Sequence, residues 1–509
     1  MANYQNPLPA RKSLPPLKLR TGNPTAFQLK DENRLLASSF KRIHEMASTG
    51  TLPPAITLML ALLVFAPIAM AQQPTQRAPD IQIIGGWLFD TPTTTFVKNE
   101  GLAIEDGKFV HYDPSVLALN RIQLKQTDYI LPGLIDCHAH YNVKLIAKRR
   151  EEFSVIPIQY LANGVTVTFS CGEFRPEEML QLRKRIESGK QIGPKLINSG
   201  PYFGRARPGW RGIKPADEIR QEVDFWAKQG IGGFKAKAIA PSELQPLIAQ
   251  AHQHGLTVTG HLGSGFRNSV NPRDAIEMGM DRVEHFLGGD AMPASESAYQ
   301  SLQYITPDLP EFEEIVQHYL THGTWFDATL TAYGYFGKCG EEYDYWFDER
   351  SLFTPYMQER VKNRTPQKPM ELFERIYQAK QRTIVEFWKA GGKITLGTDH
   401  FSNGNFLPGF GAHRELDALV RSGIPAGEAI KIATLNGAQA LGIDDQHGSI
   451  EIGKSADLFI VSGNPLENIR RTRNVNHVVT RGVPYQSREL LEQITGQLGP
   501  RSDSDADDW

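Results

Sequence analysis

The stretch Leu131-Pro-Gly-Leu-Ile-Asp-Cys-His-Ala-His140 carries two imidazoles, two residues apart, at the end of an apolar run. In an extended strand successive side chains alternate, so Asp136, His138 and His140 share one face while Cys137 and Ala139 share the other. Two imidazoles on one face of a strand end are a metal-ligand pair, although a lone His-x-His also serves as hydrogen-bonded pocket histidines. What discriminates is whether later strands supply matching ligands. Lys235 falls within the short run 233–238, His261 ends Thr257-Val-Thr-Gly-His261, His285 ends Arg282-Val-Glu-His285, and Asp399 ends Ile394-Thr-Leu-Gly-Thr-Asp399. Four histidines, one lysine and one aspartate on five strands form a convergent set suited to two adjacent divalent ions.

The elements that must position them repeat. Strand-like segments at 131–140, 164–171, 195–203, 233–238, 257–262, 282–287, 325–333 and 393–399 alternate with amphipathic helical stretches, the pattern of parallel βα units. Eight such units predict an α/β fold, a TIM-like (β/α)8 barrel over 131–444, with chemistry at the C-terminal ends of its strands. Short alternating segments broken by Asp-Gly and Thr-Pro-Thr turns occupy 80–130. Similar texture returns over 445–490, at Gly448-Ser-Ile-Glu-Ile452, Ala456-Asp-Leu-Phe-Ile-Val461 and 475–479. The two ends are expected to pair into one composite β-sandwich, leaving 1–79 as an N-terminal extension and 491–509 as a polar C-terminal tail.

With 55 Lys and Arg against 57 Asp and Glu, the net charge of -2 gives no electrostatic case for nucleic acid as a partner. Three cysteines, Cys137, Cys171 and Cys339, form no Cys-x-x-Cys pair and no visible disulfide framework; Cys137, out of phase with the histidines, reads as a small core residue. The uncharged apolar run 55–66 follows Lys41 and Arg42 and precedes Ala69-Met70-Ala71, the order of a secretory signal whose cleavage would leave Gln72 first. Its distance from Met1 suggests Met46 as the functional start. The alternative is an uncleaved membrane anchor, for which Pro53, Pro54 and Pro67 make a poor helix. Either reading places the catalytic part outside the cytoplasm, periplasmic or secreted.

These motifs in order resemble the amidohydrolase superfamily, and within it the imidazolonepropionase-like and prolidase-like metal-dependent hydrolases. The resemblance rests on Pro132-Gly-Leu-Ile-Asp-Cys-His-Ala-His140, Phe234-Lys-Ala-Lys-Ala-Ile-Ala-Pro-Ser-Glu-Leu244, Val258-Thr-Gly-His-Leu262, Val283-Glu-His285 and Gly397-Thr-Asp399. It continues through His413-Arg-Glu-Leu416, Ala433-Thr-Leu-Asn436 and Gly448-Ser-Ile-Glu-Ile-Gly-Lys-Ser-Ala-Asp457. It implies two divalent metal ions, zinc first among them, with His138 and His140 on the more buried ion, His261 and His285 on the second, and N-carboxylated Lys235 bridging both. Asp399 would bind the first ion, take the proton from the attacking water and return it to the leaving nitrogen. Lys237 shares a strand face with Lys235 and is the alternative bridge; the register of the motif favours Lys235. Two departures from the family pattern, His400 after Asp399 and a charged, aromatic-rich insertion at 339–382, are expected to shape the pocket.

Other motifs are set aside on context. Gly448 to Ser455 has P-loop spacing, but a P-loop needs a helix to follow, and Ala456–Val461 reads as a strand, so no nucleotide is expected. Ser264 lies in no Gly-x-Ser-x-Gly elbow. A deaminase of the same superfamily would carry an acidic helper a few residues beyond His261, where Leu, Gly, Ser, Gly and Phe stand. For the substrate, Arg205, Arg207 and Arg211 beside Phe203 and Trp210 suit a carboxylate on an apolar group, with Tyr333 and His413 as further pocket candidates. The expected function is therefore a hydrolase of carbon-nitrogen bonds, a dipeptidase-like amidohydrolase acting on a small dipeptide or N-acyl amino acid. The alternatives are a cyclic-amide or lactone hydrolase using the same binuclear centre, and a non-catalytic exported binding protein. Homo-oligomerisation is left open.

Overall fold

A computed structural model describes residues 78–146, 148–263, 269–285, 287, 301–338, 348–362, 368–400 and 407–509. The apolar run 55–66 with its flanking signals, Ser264, and Cys339 at the start of the insertion lie outside the described residues.

Eight parallel strands form the central body: β1 (Leu134–Ala139), β2 (Val165–Ser170), β3 (Lys195–Asn198), β4 (Gly233–Lys237), β5 (Thr257–His261), β6 (Arg282–Glu284), β7 (Trp325–Asp327) and β8 (Ile394–Thr395). Strands β1 to β3 pair in one arc and β4 to β8 in another. Gly232 N donates to Asn198 O at 2.9 Å, and Cys137 N to Leu396 O at 2.9 Å, so hydrogen bonds link β3 to β4 and carry on from β8 to β1. The strands are rich in Val, Ile, Phe and Thr and are buried on both faces, as parallel strands covered by helices must be. The helix Pro241–Gln253 shows how one cover is fixed: Pro241 supplies a preset φ at its first turn, and Glu243 accepts from Ala240 N at 3.0 Å, closing the N-terminus.

The flanking segments do share a layer. A six-stranded sheet runs Val483–Gln486, Val475–Thr480, Leu458–Ser462, Asp128–Pro132, Trp87–Asp90, Thr95–Lys98, with Leu458–Ser462 antiparallel to Asp128–Pro132. A four-stranded sheet of N-terminal strands closes over it, with Ile81, Ile83, Ile104, Phe109, Ile130 and Leu458 between the two. Because Asp128–Pro132 leads straight into β1, the layer anchors the strand that presents His138.

Several expected boundaries shift. The stretch 448–452 is not a strand, because Gly448 at φ +92° turns the chain into a loop. No helix follows Ser455; the next element is the strand Leu458–Ser462. Tyr333 lies not on β7 but on the helix Leu330–Lys338. The polar tail is not a free tail: the helix Ser487–Ile494 buries Leu490 and Ile494, Leu498 is fully buried, and a last helix, Asp503–Asp508, packs beyond them. Charge at the surface of these helices hid an apolar stripe. No helix among the described residues is long and apolar enough to cross a membrane.

Candidate metal centre

At the C-terminal ends of the strands the backbone leaves the β region abruptly. Ala238, His285, Thr329 and Asp399 are non-glycine residues with φ of +54°, +67°, +48° and +39°. Each such conformation costs about 1–3 kcal/mol and persists only where surrounding structure imposes it. They follow β4, β6, β7 and β8, which is why these strands are shorter than the sequence pattern suggests.

The buried carboxylate of Asp136 holds the β1–β8 seam. Its Oδ1 accepts from His138 N at 3.0 Å and Thr398 N at 3.1 Å, and its Oδ2 from Thr398 Oγ1 at 2.7 Å. Asp399 N in turn donates to His138 O at 3.1 Å. Between them Gly397 is required for space: a Cβ there would lie 2.2 Å from Asp327 Oδ1.

Asp399 is the hub. His140 Nε2 is hydrogen-bonded to its Oδ1 at 2.9 Å, His138 Nε2 lies 3.6 Å from the same oxygen, and His285 Nε2 lies 3.6 Å from Oδ2. Burial works to raise its pKa, but the His140 hydrogen bond and neighbouring positive groups outweigh it, so Asp399 stays well below the usual carboxylate range. Burial also pushes His138, His140, His261 and His285 below the ordinary histidine value, favouring neutral imidazoles with lone pairs to offer. Ring centroids of His261 and His285 are 4.3 Å apart, and those of His138 and His285 5.1 Å.

The orientation of each ring has a cause. His138 Nδ1 is hydrogen-bonded to Asp327 Oδ2 at 3.2 Å, turning Nε2 towards the centre, and His285 Nδ1 is hydrogen-bonded to Thr329 Oγ1 at 2.6 Å, doing the same. This is the outer support that metal-binding imidazoles require. Lys235 Nζ bonds Glu284 and Cys171 Sγ, the latter at 3.3 Å, and lies 3.5 Å from His138 Nε2. Glu284 Oε1 accepts from Cys171 Sγ at 2.9 Å and from Thr259 Oγ1 at 2.8 Å. Lys237, one pleat nearer the mouth and level with His261, is pushed down to about 8 by burial.

Among the described residues three donor groups result, each with ligand atoms within 4.8 Å of one another: His138, His140 and Asp399; His261, Glu284 and His285; His138, Cys171 and Glu284. The residues fit divalent metal ions: burial favours the neutral form of the imidazoles, and carboxylates stand beside them. His140 Nδ1 is buried with no hydrogen-bond partner among the described residues.

All six predicted ligand residues are thus brought together or next to one another. Tyr333 joins them, its ring 6.1 Å from that of His285. His400 backs the site, with Nδ1 3.3 Å from Tyr160 Oη and its ring 6.0 Å from that of His140. From the far part of the insertion, Lys380 donates to His285 O and stands 4.4 Å above the Tyr333 ring. Other expected residues lie elsewhere. His413 is hydrogen-bonded to Thr472 at 3.0 Å and belongs to none of the donor groups. Arg207 is paired with Glu222 on the outer helix Ala216–Lys228, and Arg205 and Arg211 are exposed. Cys137 is a core residue, as its phase implies. Glu284, Asp327, Thr329 and Cys171 went unassigned from the sequence, though Trp325-Phe-Asp327 ends a strand in a carboxylate just as the Asp399 segment does.

The amidohydrolase family model matches residues 129–484, more than half of the chain. The chain belongs to the amidohydrolase family. Membership makes it a hydrolase on a TIM-barrel-like α/β body with an added β-layer. A 5-methylthioadenosine/S-adenosylhomocysteine deaminase of Moorella thermoacetica is 40% identical over 85 residues, 15% of this chain and 20% of that protein. The chain therefore spans about a fifth of that relative's length. An N-acetylglucosamine-6-phosphate deacetylase of Bacillus subtilis is 21% identical over 386 residues, covering 72% of this chain and 89% of that protein. Among solved structures, a Xaa-Pro dipeptidase with bound methionine in the active site shares the fold at a TM-score of 0.59 and 21% identity, over 80% of this chain and 99% of that one. Aspergillus niger ochratoxinase does so at a TM-score of 0.59 and 18% identity, over 82% and 99%.

Proposed function

We propose that this family member hydrolyses an amide bond in a small carboxylate-bearing substrate, a dipeptide or N-acyl amino acid, using two divalent metal ions, zinc in the first instance. The observation that carries this reading is the position of Asp399, within 3.6 Å of imidazole nitrogens from His138, His140 and His285 at once. His138, His140 and Asp399 would hold one ion, and His261 and His285 the other. Lys235 would serve as the N-carboxylated bridge, its neutral amine adding to carbon dioxide with release of one proton. Ions so placed lower the pKa of water and polarise a carbonyl.

The chain's own residues do the rest. Asp399 would take a proton from the attacking water on its carboxylate and hand it to the leaving nitrogen, general base and then acid. Asp327 and Thr329 keep the rings of His138 and His285 in register, and Tyr333 closes one wall. The likeness in fold to a Xaa-Pro dipeptidase is in keeping with an amide substrate; the same centre would also serve the cyclic-amide or lactone alternative.

Two measurements test this. Metal-loaded protein is expected to carry about two ions per chain and to turn over members of a panel of dipeptides, N-acyl amino acids and lactones, amides fastest; trace metal with no turnover would remove the reading. Lys235→Ala should lose bound metal on dialysis while Lys237→Ala keeps it. The opposite pattern would transfer the bridging role to Lys237.

A further inference from the structure

Directly after His140 the chain folds into an antiparallel hairpin, Asn142–Leu145 paired with Lys148–Glu151. Beside the hairpin lies a cavity of about 440 Å³ lined by Arg149, Arg150, Glu151, Phe174, Arg175 and Trp509. Its charges are uneven. Glu151 and Glu178 are both taken by Arg175, at 3.2 and 2.9 Å. Among the described residues no carboxylate pairs with Arg149 or Arg150; each instead stands over an aromatic ring, Arg149 5.7 Å from the centre of Phe174 and Arg150 5.0 Å from that of Trp509. Trp509 Nε1 is buried with no hydrogen-bond partner among the described residues. Phe174 in turn packs at 5.4 Å against Tyr202, whose strand lies against Lys235 of β4. The hairpin leaves β1 directly after His140, with Glu151 paired to Asn142, and Phe174 follows Cys171 just beyond the end of β2, so the cavity lies at the same C-terminal strand ends that carry the metal centre.

We infer that this cavity is the subsite for the substrate's carboxylate, with Arg149 and Arg150 as its cationic clamp and Phe174 and Trp509 as the walls that take an apolar side group. Guanidinium groups bind carboxylates in a planar two-pronged fashion, and the flanking rings hold the guanidinium planes ready. The inference rests on the proposed amide hydrolysis for its substrate class and names different arginines from the loop 201–212, where Arg207 is already spent on Glu222.

The test is binding of N-acetyl-L-phenylalanine and its amide, N-acetyl-L-phenylalaninamide, to full-length metal-loaded protein by calorimetry. The wild type should bind the free acid at least about tenfold more tightly than the amide, a preference that shrinks with added salt. Arg149→Ala should abolish the preference and Arg149→Lys restore part of it, with bound metal unchanged in both. Trp509→Ala should weaken both ligands together. A wild type that binds acid and amide equally, or an Arg149→Ala protein that keeps the full preference with its metal intact, would overturn the assignment. The two readings fail separately: turnover of neutral amides without preference for the acid would sink the subsite alone. Preference for the acid with no turnover of any panel member would sink the amide-hydrolase reading and leave the subsite.

Discussion

Asp399→Asn is expected to lower kcat by about a thousandfold, within the range that general acid-base groups contribute, while KM changes little. The substitution keeps the shape and one ligand-competent oxygen but removes the group that accepts and returns a proton. Asparagine also tolerates the left-handed backbone at this position, φ +39°, so the fold should survive. Steady-state kinetics on the fastest panel substrate, with metal content measured on the same sample, gives the answer. A loss of less than about tenfold at full metal occupancy would show that proton transfer is handled elsewhere.

The largest effect on stability is expected far from the chemistry, at the ion pair between Glu349 and Arg414. Both side chains are almost completely buried, at 3% and 1% exposure. Glu349 also accepts from Leu407 N at 3.2 Å, tying the described part of the insertion to the helix Phe410–Arg421. Glu349→Ala removes this carboxylate from a buried guanidinium, which costs about 3–5 kcal/mol. The double variant Glu349→Ala/Arg414→Met should recover much of that loss, because removing both charges removes the desolvation penalty with them. Denaturant unfolding monitored by circular dichroism checks both. A single variant as stable as the wild type would mean that water reaches the pair.

The residues that gather in the candidate metal centre were readable from sequence because each is a chemically distinctive residue at the end of a short apolar run, and alternation along a strand fixes which face it joins. Strand order and the β-layer followed from the same periodicities. The residues that aim the ligands were not readable. Asp327 reaches His138 across 189 positions, and Thr329 reaches His285 across 44, and nothing local marks either as a partner. The arginines of the loop 201–212 failed for a similar reason: charge and aromatic neighbours advertise a binding loop, but the choice of Glu222 as partner for Arg207 is made by the helix packed beside it. Arg149 is not legible as a binding residue because Lys148, Arg149 and Arg150 look like a solvated turn until the hairpin sets Arg149 and Arg150 over Phe174 and Trp509.

The final dozen residues have a practical side. Lys148 Nζ donates to Ala506 O and Asp507 O at 3.0 and 2.7 Å, Asp503 holds Tyr356 and Arg360, and Trp509 stacks under Arg150. A purification handle or fused reporter joined after Trp509 would leave from beside the arginine-rich cavity, and a protease nick near residue 500 would loosen the same wall.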